Sequence, residues 1–217
     1  MACMTTVKLD SHILERDADA IAEQLNIQSQ PATVRTLQIL FLRSRAQLEP
    51  FHHNSPIFLS QSSSIAPSYT DVVPQDVTFY LEKLVRAAQQ TAESHYYGSF
   101  VAGQSSESDE FADIGVWLGE GDYQRNHEKE ILDKLGLIEW ADAEIVQMDG
   151  LYDDIDEKLK VEFEGSESEA NAIRTLLDSL ENCHRFFARR QDSYFACFLV
   201  GRSKAGWCGL ASIGVAS

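Results

Sequence analysis

Positive charge is scarce in this chain: 18 lysines and arginines face 34 aspartates and glutamates, for a formal net charge of −16. A balance so acidic repels nucleic acid and anionic lipid, so direct binding to either is not expected. Long apolar runs are missing too. None approaches the roughly 18–20 residues that a membrane span needs, so no membrane partner is expected. The opening Met-Ala-Cys-Met-Thr-Thr-Val-Lys has no apolar stretch of the signal-peptide kind, and a cytoplasmic location is expected. Cysteine is sparse. Cys3, Cys183, Cys197 and Cys208 form no Cys-x-x-Cys pair and no zinc-like spacing. They read as small reduced core residues, with a disulfide between Cys197 and Cys208 on consecutive predicted strands as the alternative.

The common catalytic signatures are absent as well. There is no Walker loop, no Gly-x-Gly-x-x-Gly after a strand, no His-Glu-x-x-His and no Gly-x-Ser-x-Gly elbow. Gly201-Arg202-Ser203-Lys204-Ala205-Gly206 has the look of a glycine-rich phosphate cradle, but it leads into a strand where a cradle needs a helix N-terminus. A hairpin turn is the expectation there. His52-His53 lack a third ligand, His127 has no accompanying nucleophile, and His184 reads as a helix-surface or core-edge residue. Glu107–Glu110 and Asp153–Glu157 lack the spacing of a calcium loop and read as solvated acidic runs. Trp117, Trp140 and Trp207 fall in or near predicted strands and read as core. No catalytic, cofactor-binding or metal-binding residue is assigned, and no enzyme activity is expected.

What is present supports a core: 44% of residues are hydrophobic and 10% aromatic. Residues 12–26 read as a helix, and a second begins at Pro31 with Val34, Leu37, Leu40 and Phe41 at helical spacing. Residues 52–72, including Ser60-Gln61-Ser62-Ser63-Ser64, read as a loop or linker. A helix follows Pro74 with Val77, Leu81, Leu84 and Ala88 on one face. Residues 112–118 alternate as a strand. Asn126 is placed to cap a short helix that Gly136 stops, and residues 143–148 read as a strand. Ser166-Glu167-Ser168-Glu169 resembles a capping box. It opens a predicted long helix carrying Ile173, Leu176, Leu177, Leu180, Cys183 and Phe187, with Arg185, Arg189 and Arg190 toward its negative end. Tyr194–Val200 is apolar on both faces, so helices are expected on both sides of a sheet. The expected fold is α/β: a three-layer α/β/α sandwich over residues 74–217, preceded by a helical extension and serine-rich linker over residues 1–73. Residues 74–217 are expected to fold without residues 1–53.

Charge is distributed unevenly. Residues 103–169 hold 21 acidic and five basic side chains, a net of −16, whereas residues 170–217 hold three and six, a net of +3. A solvated acidic face is the plain reading. A surface that steers a basic partner inward is the functional one.

The order of features in the C-terminal two-thirds resembles the nuclease A inhibitor family. Phe198-Leu199-Val200-Gly201-Arg202-Ser203-Lys204-Ala205-Gly206-Trp207-Cys208-Gly209-Leu210-Ala211-Ser212 is similar to that family's closing hairpin. Ser106-Glu107-Ser108-Asp109 before the Ile114–Trp117 strand looks like its Ser-Glu-Ser-Glu loop. Asn126-His127-Glu128 is similar to its Thr-His-Glu, and Ile145-Val146-Gln147-Met148-Asp149 to its apolar strand ending in Asp. The resemblance covers roughly residues 78–217. The family's chain ends Glu-Thr and this one Ala216-Ser217.

The resemblance implies a protein that blocks a sugar-non-specific, metal-dependent nuclease by plugging its basic groove. It further implies that Glu107 and Ser217 enter the partner's metal site as hard oxygen donors, with Asp109 beside them. The partner is then a basic protein, with no cofactor required. The alternatives are a scaffold of the same fold that binds another basic protein, and an enzyme with an unrecognised carboxylate site.

Overall fold

A two-residue turn at Lys204–Ala205 sets the centre of the fold. In the computed structural model Ser203 pairs with Gly206 across it, the loop length that most favours an antiparallel hairpin. The structure describes residues 5–8, 32, 35–36, 39–40, 57–59, 63–66, 74–94, 98–103, 111–148, 167–191 and 193–216. The strands are β1 (Thr5–Lys8), β2 (Ile57–Leu59), β3 (Ser63–Ala66), β4 (Ile114–Gly119), β5 (Glu144–Met148), β6 (Glu181–Arg189), β7 (Tyr194–Ser203) and β8 (Gly206–Val215). The described helices are α1 (Gln75–Ser94), α2 (Glu128–Lys134) and α3 (Glu167–Asp178), with a 3-10 turn at Ile138–Trp140.

The result is a mixed α/β fold built on an open antiparallel sheet in the order β4-β8-β7-β6-β5. The central strands are apolar on both sides, and alternate residues of β7 join different clusters. Ala196, Phe198 and Val200 of β7 join a cluster with Ile131, Leu132, Leu135, Leu137 and Trp140. Phe195, Cys197 and Leu199 join a second cluster with Val77, Leu81, Leu84 and Ala88 of α1 and Ile173 and Leu177 of α3. The helical spacing read after Pro74 is thus the face that α1 buries. The Tyr80 hydroxyl donates to the Leu176 carbonyl at 2.8 Å, tying α1 to α3.

Several expectations need correction. The long helix predicted through Arg190 ends at Asp178, and Cys183, His184, Arg185 and Phe187 lie on β6. In residues 181–189 only Cys183, Phe186, Phe187 and Ala188 are apolar, too few to distinguish a helical from a strand period, and cross-strand packing decides it. Phe186 pairs with Phe198 and stacks on it at 4.8 Å. Arg185, Arg189 and Arg190 therefore cap no helix. Instead each lies over an aromatic ring, of Phe187, Phe195 and Trp140 respectively.

Asn126 is not the cap of α2. That position is His127, while Asn126 adopts a φ of +79° and donates its backbone N–H to Glu128 Oε1 at 2.9 Å. Gln147 of β5 donates to both Asn126 Oδ1 and Glu128 Oε1, so a strand tether replaces the cap. Gly136 does stop the helix. With φ at +65° it donates to Asp133, and Leu137 donates back to Leu132, the paired bonds of a glycine C-terminus.

The serine-rich stretch read as a linker contains β2 and β3. β2 pairs with β4, with Phe58 opposite Val116, and β3 pairs with β2 and, in parallel, with β1. An unpaired edge on β4 leaves its amides open, and a three-residue apolar run is enough to fill it. Residues 12–26 lie outside the described residues. Ala32, Arg35 and Thr36 are helical, and Leu40 is fully buried among Phe111, Trp140 and their neighbours.

Candidate functional site

The segment that carries Glu107 and Asp109 leaves the described structure at Gly103 and returns at Phe111. Its two stems are tied together by one buried carboxylate. Asp113, 5% exposed, accepts hydrogen bonds from the Ser99 hydroxyl at 2.7 Å, the Phe100 N–H at 2.6 Å and the Val101 N–H at 3.1 Å. The Ser99 hydroxyl in turn accepts from the Ala102 N–H at 2.9 Å, and Gly103 N–H closes onto the Ser99 carbonyl. From β6, Arg185 donates to the Val101 carbonyl at 2.6 Å. Burial pushes the Asp113 carboxyl up to about 6, against Ser99, Val101, Phe100 and Arg185, which all pull it down. All three hydrogen bonds that this carboxylate accepts come from residues 99–101, so Asp113 anchors that turn to the foot of β4.

The returning stem is held by two hydroxyls. Thr36 Oγ1 accepts from the Ala112 N–H at 3.0 Å, and Ser212 of β8 donates to the Ala112 carbonyl at 3.1 Å. Phe111 is fully buried and meets Tyr194 edge to face at 6.1 Å. The register sets Ile114 opposite Ala211 and Tyr194 opposite Val215, and Ala216 N–H bonds to the Ser193 carbonyl at 2.7 Å. The stems of the acidic segment and the last described residue thus emerge at the same end of the sheet. Glu107, Asp109 and Ser217 themselves lie outside the described residues, as do His52, His53, Cys3 and the run Asp153–Glu157.

His127 is partly exposed, with its ring nitrogens 3.6 Å from Asp122 and from Glu130. His184 is 4% exposed on β6, with Nδ1 near the Asn182 carbonyl and Nε2 without a hydrogen-bond partner. Burial pulls its pKa down, opposed by the Asn182 carbonyl and by Glu128, while Arg125 pulls the same way as burial. Cys183, Cys197 and Cys208 are free thiols, and burial raises the pKa of each. Cys197 faces Ser212 and Cys208 faces Gly201, so the two thiols once paired as alternatives are out of register. Trp117, Trp140 and Trp207 are all buried, as a core reading requires.

Among the described residues no three His, Cys, Asp or Glu side chains converge on a point that could hold a metal. No described helix is long and apolar enough to cross a membrane. Sequence reasoning gave Ser99 and Asp113 no role and set Arg185 at the end of a helix. The available signal was a lone Asp at the foot of an apolar strand, whose donors lie 12 to 14 residues upstream. No family model matches the sequence, and no curated protein matches it.

Proposed function

We propose that this chain is a non-catalytic α/β/α sandwich that binds a basic protein through its acidic end. The partner we infer is a metal-dependent, non-specific nuclease whose active-site groove it plugs. The observation that carries this reading is the common origin of the two predicted contact segments. The stems of the segment bearing Glu107 and Asp109 leave the sheet beside the strand end that leads to Ser217. The two apolar clusters, with helices in each, support the three-layer arrangement.

The physics is that of a decoy. A groove that neutralises phosphates is basic, and an acidic protein competes for it without offering a bond to cleave. Carboxylate and hydroxyl oxygens are donors that a magnesium-type centre in the partner accepts. Clamping the stems lowers the ordering cost of binding. The free thiols suit a reducing compartment, which supports a cytoplasmic location.

Titration against a panel of non-specific nucleases, read as cleavage of nucleic acid, tests the proposal. Inhibition should weaken steeply with salt, because exposed charges are screened over about 8–10 Å. Glu107→Gln should weaken binding by roughly 2–5 kcal/mol, as loss of a desolvated charge pair does. Binding of a basic partner without inhibition of any nuclease would favour the scaffold reading. Full inhibition by the Glu107→Gln variant would remove this contact mode.

A further inference from the structure

At the opposite end of the sheet the β7–β8 turn borders a cavity of about 310 Å³, lined by Arg202, Lys204, Glu120, Gly206 and Trp207 among others. Small-molecule pockets run from roughly 300 to 1,000 Å³, so this one is of a size for a single small molecule. Its wall is fixed. Trp207 is 3% exposed and donates its indole N–H to the Gly121 carbonyl at 3.0 Å. Its ring meets Tyr123 edge-on at 6.3 Å and His184 at 6.2 Å. Gly206 has a φ of +146°, and a Cβ there would stand 2.6 Å from the Gly119 carbonyl oxygen, so this side of the cavity is bare backbone.

The charge at the mouth is the opposite of the chain's. Arg202 and Lys204 are exposed, and neither makes an ion pair or hydrogen bond with a described residue, although Glu181 stands opposite Arg202 in the strand register. They belong to a C-terminal stretch with six basic and three acidic side chains in a chain of net charge −16. A guanidinium offers a planar fork and an ammonium a point charge, the two cationic shapes that suit a phosphoryl group. Glu120 supplies an acceptor for hydroxyl groups, and its charge disfavours a second phosphate.

We propose that this cavity binds a small phosphomonoester, with the phosphoryl group held by Arg202 and Lys204. The hydroxyl-bearing remainder lies between Trp207 and Glu120. This site is independent of the acidic end, so nuclease inhibition and ligand binding stand or fall separately.

Calorimetry on the full chain tests it with four probes: inorganic phosphate, ribose 5-phosphate, adenosine 5′-monophosphate and ribose. Saturable binding of the phosphorylated probes, with none of ribose, is the expected result. Arg202→Gln and Lys204→Gln should each weaken that binding by about tenfold or more, as loss of a charged hydrogen bond does. Equal affinity for inorganic phosphate and the esters overturns the assignment of a phosphomonoester, since the remainder then makes no contact in the cavity. Tighter binding of an ester adds its sugar or base. Absence of binding by every phosphorylated probe overturns the proposal, and so does undiminished binding by the doubly substituted chain.

Discussion

The two ends of the sheet use charge in opposite ways. Where the acidic segment is rooted, the charged groups Asp113 and Arg185 are 5% and 7% exposed, and both are engaged with the backbone of Phe100 or Val101. At the β7–β8 turn, Arg202 and Lys204 are exposed and bordered by open space. A buried charge must be surrounded by partners and becomes part of the construction. An exposed charge beside a cavity contributes little to stability and is free to meet a ligand. Burial, more than the sign of the charge, separates scaffold from recognition here.

The largest effect expected from breaking this contrast is Trp207→Ala. It empties a buried aromatic site at the turn end and should cost roughly 3–5 kcal/mol in a denaturant titration. A value near zero would mean that the wall of the cavity is not part of the core. Asp113→Asn comes next. The amide keeps one acceptor and turns a donor toward the backbone N–H groups of the stem, so a loss of about 1–3 kcal/mol is expected. If the variant is as stable as the wild type, the carboxylate is not what holds the stems.

Acidification acts on the two buried groups with opposite sign. His184 has a folded pKa below its ordinary 6.5, so its contribution is fully present above that value and is lost as pH falls through the depressed folded pKa. Asp113 is raised from 3.8 to about 6, so its contribution is present below 3.8 and is lost as pH rises through 6. Urea titrations between pH 7 and 5 should show less loss of stability for His184→Phe than for the wild type. A slope unchanged by that substitution would assign the acid sensitivity to another group. The smallest effect belongs to Arg202→Gln with Lys204→Gln, which should leave the melt within about 0.5 kcal/mol of the wild type. A larger loss would place these cations in the scaffold after all.

How much of this was legible depends on how far apart the deciding contacts lie. The face of α1, the hairpin of β7 and β8, and the stop at Gly136 are written within a few residues of themselves. The acidic stretch was equally visible as a concentration of charge. What held it was not: Asp113 closes on a turn more than ten residues upstream, and the cavity at the turn needs Glu120, just past the end of β4, brought beside Trp207 of β8.

By itself, then, the sequence determined the α/β class, the periodic elements and the concentration of negative charge before β6, since each follows from local spacing or composition. Tertiary structure decided that residues 181–189 are a strand, because Phe186 gains a stacked partner in Phe198 that a helix continuing past Asp178 would not supply. It also decided that Ile57–Leu59 pairs with β4, and that Asn126 is tethered by Gln147 of β5 while His127 takes the cap. In each case a hydrogen bond or ring contact to a distant segment outweighed a local preference. Local preferences are worth a fraction of a kcal/mol to about 1 kcal/mol per residue, and a buried amide left without its partner costs about 1–3 kcal/mol.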